Sequence, residues 1–260
     1  MKLRDKLWIW GHRAGSHNSK YGFESFMSPV EAAVYLGVSN VFMVSLKGNI
    51  VPPFDKFSRA LSVLREIKYS VVGDSSSPDN ASSFGDTEEI IRQANLFDNI
   101  TGGIFDDFYS ERRLKVYTPE VLGAIRRRLN SNKKPLDMWS VIYDHNLNID
   151  AQGQIDAFDG LSYWTWRHSD LDKFESNYGK FLALTPEKRR MLGCYLYDYG
   201  TSTQVPAQKI VWQLDRYTEC IKKGEAEGII FCSNTVADLG FEAVAAAKEW
   251  IAKHGDTEID

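Results

Sequence analysis

The sequence predicts an α/β protein folded as a single (β/α)8 barrel over residues 1–260, and three observations predict it. Short apolar runs rich in β-branched and aromatic residues alternate eight times with segments of helical periodicity. Eight such units fit a chain of 260 residues, close to the roughly 250 typical of this barrel. No G-x-G-x-x-G turn follows the first strand, as it would in many doubly wound sheets, and no break in composition divides the chain into two domains.

The first strand is read at Leu7 to Gly11. "SPVE" from Ser28 then opens a helix, because it joins an N-cap serine, a proline in the first turn and a glutamate three residues after the serine. Val41 to Leu46 is the second strand and Tyr69 to Gly73 the third. The polar stretch "SSSPDNASSFGD", Ser75 to Asp86, is expected to be a long loop. After the fourth strand, Gly103 to Asp107, "SERRLKVYTPE" (Ser110 to Glu120) is expected as a charged, exposed rim loop. "TPEV" at Thr118 repeats the capped Thr-Pro helix opening, as does "TPEK" at Thr185. The remaining strands are Met138 to Tyr143, Leu161 to Trp166, Met191 to Tyr197 and Gly228 to Ser233. In "FEAVAAAKEWIAKHG" the residues Phe241, Val244, Ala245, Ala247 and Ile251 form one apolar face of a last outer helix, with Gly255 placed to end it.

Composition narrows the partners. With 43% hydrophobic residues the chain can fill a sizeable core. A net charge of -4 gives no basic field for a nucleic acid or an anionic membrane surface, and Arg126-Arg127-Arg128 is a single short cluster on a helix. Cys194, Cys220 and Cys232 lack metal-type spacing and are expected as reduced core thiols. No stretch approaches the roughly 18 apolar residues of a spanning helix, and the apolar run near the N-terminus is too short for a leader, so the expected location is the cytoplasm.

Active sites of such barrels sit at the C-terminal ends of the strands. The predicted exits read "WGHR", "SLK", "GDS", "FDDF", "IYDHN", "WTWRH", "LYDYG" and "CSN", whereas strand starts such as "KY" at Lys68 are bland. Sugar rings present apolar faces to aromatic rings and hydroxyls to polar groups, and the exits supply both. The expected ligand is therefore a carbohydrate or polyol, bound by His12, Arg13, Asp74, Tyr143, Trp164, Trp166, His168, Tyr197 and Asn234. Period-two spacing predicts that Trp8, Trp10 and His12 share a face, as do Trp164 and Trp166, and Tyr195, Tyr197 and Tyr199. Glycoside hydrolysis needs two carboxyl groups, and Asp106 or Asp107 on the fourth strand with Asp198 on the seventh are the candidates for acid and for nucleophile or base. Adjacent aspartates point to opposite faces, and Ile104 and Phe105 are too alike to say which aspartate enters the barrel. No cofactor and no bound metal is expected.

These strand-end acids resemble the superfamily of barrel glycosidases whose acid/base ends strand four and whose nucleophile ends strand seven. The resemblance implies a glycosidase-like barrel. It departs from that superfamily's Asn-Glu pair and strand-seven glutamate by offering Asp106-Asp107 and Asp198. The longer stretches, "SPVEAAVYLGVSNVFMV", "GGIFDDF" and "LGCYLYDYG" among them, resemble a bacterial (β/α)8 family without a defined activity. "GHRAGSHN" resembles the His-Arg-Gly opening of glycerophosphodiester phosphodiesterases, with Ala14 intervening and no acid in "FMVSLKG", where those enzymes bind metal. A metal-dependent hydrolase using some of His12, Asp74, Asp106, Asp107, His145, His168 and Asp198 is a further alternative, as is a carbohydrate-binding barrel without turnover.

Overall fold

The structure, a computed structural model, describes residues 1–77 and 84–259. Eight parallel strands close into a barrel in chain order: β1 (Leu7–Gly11), β2 (Asn40–Met43), β3 (Glu66–Val72), β4 (Ile100–Phe105), β5 (Asp137–Tyr143), β6 (Gly160–Trp164), β7 (Arg189–Tyr195) and β8 (Gly228–Cys232), with β8 returning to β1. Helices on the outside connect them. A two-stranded hairpin, Tyr197–Asp198 with Thr203–Gln204, rises from the rim after β7. Among the described residues no helix is long and apolar enough to cross a membrane.

The barrel interior is aromatic, and its packing explains two glycines. Trp8, Trp10, Phe42, Trp139 and Trp164 fill it with Val44, Ile104, Val141, Met191, Ile230 and Cys232. Trp139 pairs in register with Gly160, and Trp164 with Gly193. A methyl group on either glycine would run into the facing indole, so each large ring is matched by an absent side chain on the next strand. The barrel floor is not bland. Lys68 is fully buried there, with Nζ donating to Asp137 Oδ2 at 3.1 Å and Thr101 Oγ1 at 2.9 Å and lying 5.4 Å from the Trp8 ring centroid. A buried ammonium survives because these partners replace its water.

Several helix signals hold. Ser28 accepts from the Glu31 amide at 3.3 Å while Glu31 Oε2 accepts from the Ser28 amide at 2.7 Å, and Thr118 caps Val121. "TPEK" does not open a helix. Thr185 ends the helix Phe174–Leu184, with Oγ1 donating to the Phe181 carbonyl at 2.7 Å, and the chain turns directly into β7. The expected rim loop after β4 is instead the helix Glu111–Val116, capped by Ser110 and carrying the buried Arg113. In the last helix, Glu242–His254, Ala243 and Trp250 belong to the buried face and Ala245 does not. The loop predicted after β3 lies partly outside the described residues. Cys194, Cys220 and Cys232 are free and buried.

Candidate functional site

Strand parity at β4 is settled by packing. Ile104 belongs to the barrel interior and Phe105 to the layer between barrel and helices, so Asp106 faces inward. Its amide pairs with the Val72 carbonyl at 3.1 Å, while Arg113 donates to the Asp106 carbonyl and to that of Asp74 at 2.7 Å. Asp107 should then face outward. The backbone turns instead, with φ of 44° at Asp107, a left-handed conformation that aspartate tolerates better than most residues. The turn brings its carboxylate back to the rim, where Oδ1 accepts from Tyr143 Oη at 2.6 Å and Oδ2 from the Ser75 amide at 2.9 Å.

The two adjacent carboxyls meet different surroundings. Asp106 is 5% exposed, and burial, reinforced by the negative charges of Asp107 and Asp74, pushes its pKa well above the usual carboxylate range. These surroundings favour its protonated form. One of its oxygens, Oδ1, accepts from the Asp107 amide at 2.8 Å, and among the described residues Oδ2 receives no hydrogen bond. Burial, then Asp107, also drives the Tyr143 hydroxyl upward, so Tyr143 stays a donor. Tyr195 lies half-buried near the same carboxyls, and burial, then Cys232 and Asp107, raises its pKa as well.

Above this group lies a cleft of about 380 Å³, lined by Asp107, Ser75, Tyr109, Tyr143, His145 and Trp166 among others. His145 and Trp166 also line a second cleft of about 440 Å³ with Asp144, Arg167, Asp170, Lys173 and Asn177. Trp166 stands edge-on to Tyr143 at 5.4 Å between ring centroids, and His145 stacks on Tyr143 at 5.1 Å. The half-buried indole is thus a wall shared by two neighbouring hollows.

Other expected site residues are placed elsewhere. Asp198 is 1% exposed and faces the rim loops: Oδ2 accepts from the His168 amide at 2.8 Å and Nδ1 at 2.7 Å, and Oδ1 from the Thr201 amide at 2.8 Å. Burial opposes its charge, but these donors outweigh it and lower its pKa. His168 is thereby committed to Asp198 through Nδ1. Trp164, unlike Trp166, lies in the barrel core, 5.3 Å from Trp10 and 4.9 Å from Tyr195. Tyr197 does not share the face of Tyr195, because the chain leaves the barrel between them. It packs against Phe23 and Phe241 outside the barrel.

Asn234 is a strand staple. Its side chain accepts from the His12 amide at 2.7 Å and donates to the carbonyls of His12 and Met27. His12 does face inward with Trp8 and Trp10; its Nδ1–H donates to the Val44 carbonyl at 3.1 Å, and burial lowers its pKa to about 4. Asp74 holds its own loop, accepting from the Lys47 amide at 2.8 Å, Ser77 Oγ at 2.6 Å and Ser76. Arg13 points outward and lines separate clefts. Among the described residues no three His, Cys, Asp or Glu side chains converge as metal ligands would. Tyr195, Ser75, Tyr109 and Arg113 were not expected at the site. For Tyr195 the signal was the period-two sequence Met191, Gly193, Tyr195, which continues the interior face of β7.

This barrel is shared with solved structures of low sequence identity. The catalytic domain of a hyperthermophilic chitinase from Pyrococcus furiosus superposes with a TM-score of 0.66 at 12% identity, over 98% of this chain and 97% of that one. A chitinase from Chromobacterium violaceum gives 0.56 at 12%, over 95% and 99%. A xylanase and amylase inhibitor protein gives 0.58 at 12%, over 96% and 98%. No family model and no curated protein matches the chain. At such identities the likeness is one of fold: the chain is a (β/α)8 barrel, and the shared architecture leaves function to the site.

Proposed function

We propose that the protein is a carbohydrate-active hydrolase whose substrate lies along the rim from Asp107 to Trp166, with Asp106 as proton donor and Asp107 as the partner carboxylate. The observation that carries this reading is a pair of adjacent carboxyls at one strand exit beside an aromatic cleft, one buried so that its pKa is raised and the other accepting from Tyr143 and the Ser75 amide. Glycoside cleavage needs that division of labour. One carboxyl must give a proton to the leaving oxygen, and a second must stabilise or capture the positive charge that develops on the sugar, or activate water. Burial and the neighbouring Asp107 and Asp74 favour the proton on Asp106, and Oδ2, which receives no hydrogen bond among the described residues, is the oxygen from which it would leave. Asp107 accepts from Tyr143 and from the Ser75 amide, which hold its carboxyl at the rim as the partner carboxylate.

Trp166 supplies a face for a sugar ring, and the hollows on either side of it suit a ligand of more than one ring. Site mutants of the Pyrococcus furiosus chitinase have been solved with chito-oligosaccharides, which makes these the first compounds to test. The experiment is product analysis with chito-, xylo-, cello- and malto-oligosaccharides for wild type, Asp106→Asn and Asp107→Asn. Loss of a positioned acid should lower turnover by about 10²-fold or more with binding retained. Wild-type turnover in both variants would overturn the acid assignment.

A second reading, binding without turnover, is favoured by one specific observation: Asp198, the acid expected across the barrel, is turned to His168 and Thr201. It predicts saturable oligosaccharide binding by the wild type and no product.

A further inference from the structure

We propose that the barrel carries a second binding site, at Arg13, Lys56 and Arg59 on its outer rim, for an amphipathic anion: a carboxylate or phosphate head on an apolar body. The site follows from chain geometry. Because His12 continues the inward face of β1, Arg13 is directed outward. The helix Asp55–Leu61 places Lys56 and Arg59 three residues apart, on one exposed stripe, and Phe57 and Ala60 on the next. Arg13, Lys56 and Arg59 line one cleft of about 750 Å³ whose remaining walls include Val51, Pro52, Pro53 and Phe57. Its volume is that of a small-molecule site.

The charge in this cleft is uncompensated. Among the described residues none of the three cations has an ion-pair or side-chain hydrogen-bond partner, whereas Arg65, Arg92, Arg126, Arg128 and Arg216 are all paired with carboxylates. The cleft's own acid, Asp55, is taken by Arg92 and by Gln93 at 3.2 Å. Three like charges around one concavity make a field that favours an anion, and arginine forks fit carboxylate and phosphate oxygens. An inorganic ion would leave the apolar walls wet. Arg13 and Phe57 also border a second hollow, of about 290 Å³, lined by Pro29, Val30, Met43, Ala60 and Leu61. A ligand with its head at the cations and its body over Phe57 would use both hollows and bury its apolar surface against them.

The test is calorimetric titration of the full chain with decanoate, decyl phosphate and 1-decanol, repeated on Arg13→Gln and on a Lys56→Gln/Arg59→Gln double variant. These side chains are exposed, so the fold should be unaffected. Saturable binding of at least one anion is expected, with decanol at least about tenfold weaker and each variant losing about tenfold or more, because each removes a charge-assisted hydrogen bond. The tighter of the two anions identifies the head group. Absence of saturable binding, equal affinity for decanol, or unchanged affinity in Arg13→Gln would overturn the proposal. Asp106→Asn should bind the anion as the wild type does, which separates this site from the carbohydrate cleft.

Discussion

Replacing Asp106 with asparagine tests its protonation without reference to any substrate. Asparagine has the shape of a neutral carboxyl and keeps an oxygen to accept from the Asp107 amide, now 2.8 Å from Oδ1. If Asp106 is protonated in the native state, the exchange is nearly silent in structure. It is not silent in linkage. The folded-state pKa is raised, by burial and then by Asp107 and Asp74, above the ordinary carboxyl value of 3.8. As pH rises through that ordinary value the unfolded chain releases its proton while the native state keeps it, so the wild type loses stability up to the native pKa. One proton is worth about 1.4 kcal/mol per pH unit, and hence about 2.7 kcal/mol over two units within that window. His12, lowered to about 4, and His17, lowered to about 2, both chiefly by burial, have the opposite slope, because the unfolded chain binds their protons first. They contribute equally to both proteins and cancel in the difference. Urea unfolding at half-unit steps from pH 4.5 to 7 should show Asp106→Asn gaining on the wild type as pH rises. A difference that stays flat across that range would refute a native neutral Asp106, and with it the assignment of proton donor.

Three further outcomes are expected. Asp198→Asn replaces an acceptor of three donated hydrogen bonds and should destabilise the protein by about 3 kcal/mol in urea at neutral pH; since the native pKa of Asp198 is lowered, the wild-type advantage should fade as pH drops through it. Gly193→Ala should cost about 3 kcal/mol or prevent folding, because the added methyl meets the Trp164 indole inside a filled barrel; a Tm within a degree of wild type would contradict the packing described. Trp166→Ala should leave the Tm almost unchanged and weaken oligosaccharide binding by about tenfold, read by calorimetry, because the half-buried ring contributes a stacking surface and little core.

Much of the scaffold was legible in the sequence because its cues are local. Eight apolar runs, the Ser28–Glu31 capping box and the Thr118 cap each depend on residues within a few positions of one another. What was not legible depended on contacts across the chain or on single backbone angles. Strand starts and ends shifted by up to three residues, as at β3 and β4, because pairing with neighbours sets them. Alternation could not separate Asp106 from Asp107 until packing showed Ile104 inside, and it failed beyond Asp106, where a left-handed residue turns Asp107 back to the rim. It failed again after Tyr195, which is why Tyr197 lies outside the barrel. Asp198, His168 and Asn234 look like ligand groups by type and position. Their hydrogen bonds are instead given to the loops they hold, and Arg113, hidden in a charged segment, positions two strand ends.

The most direct measurement of the central claim is a crystal structure of Asp106→Asn with a chito-oligosaccharide, or with whichever oligosaccharide the product analysis selects. The account predicts a sugar ring against Trp166 and a glycosidic oxygen within hydrogen-bonding distance, about 2.6–3.2 Å, of the residue 106 side chain, with Asp107 still bound by Tyr143. A sugar held away from the Asp107–Trp166 rim, or one lying there with no glycosidic oxygen near residue 106, would contradict it.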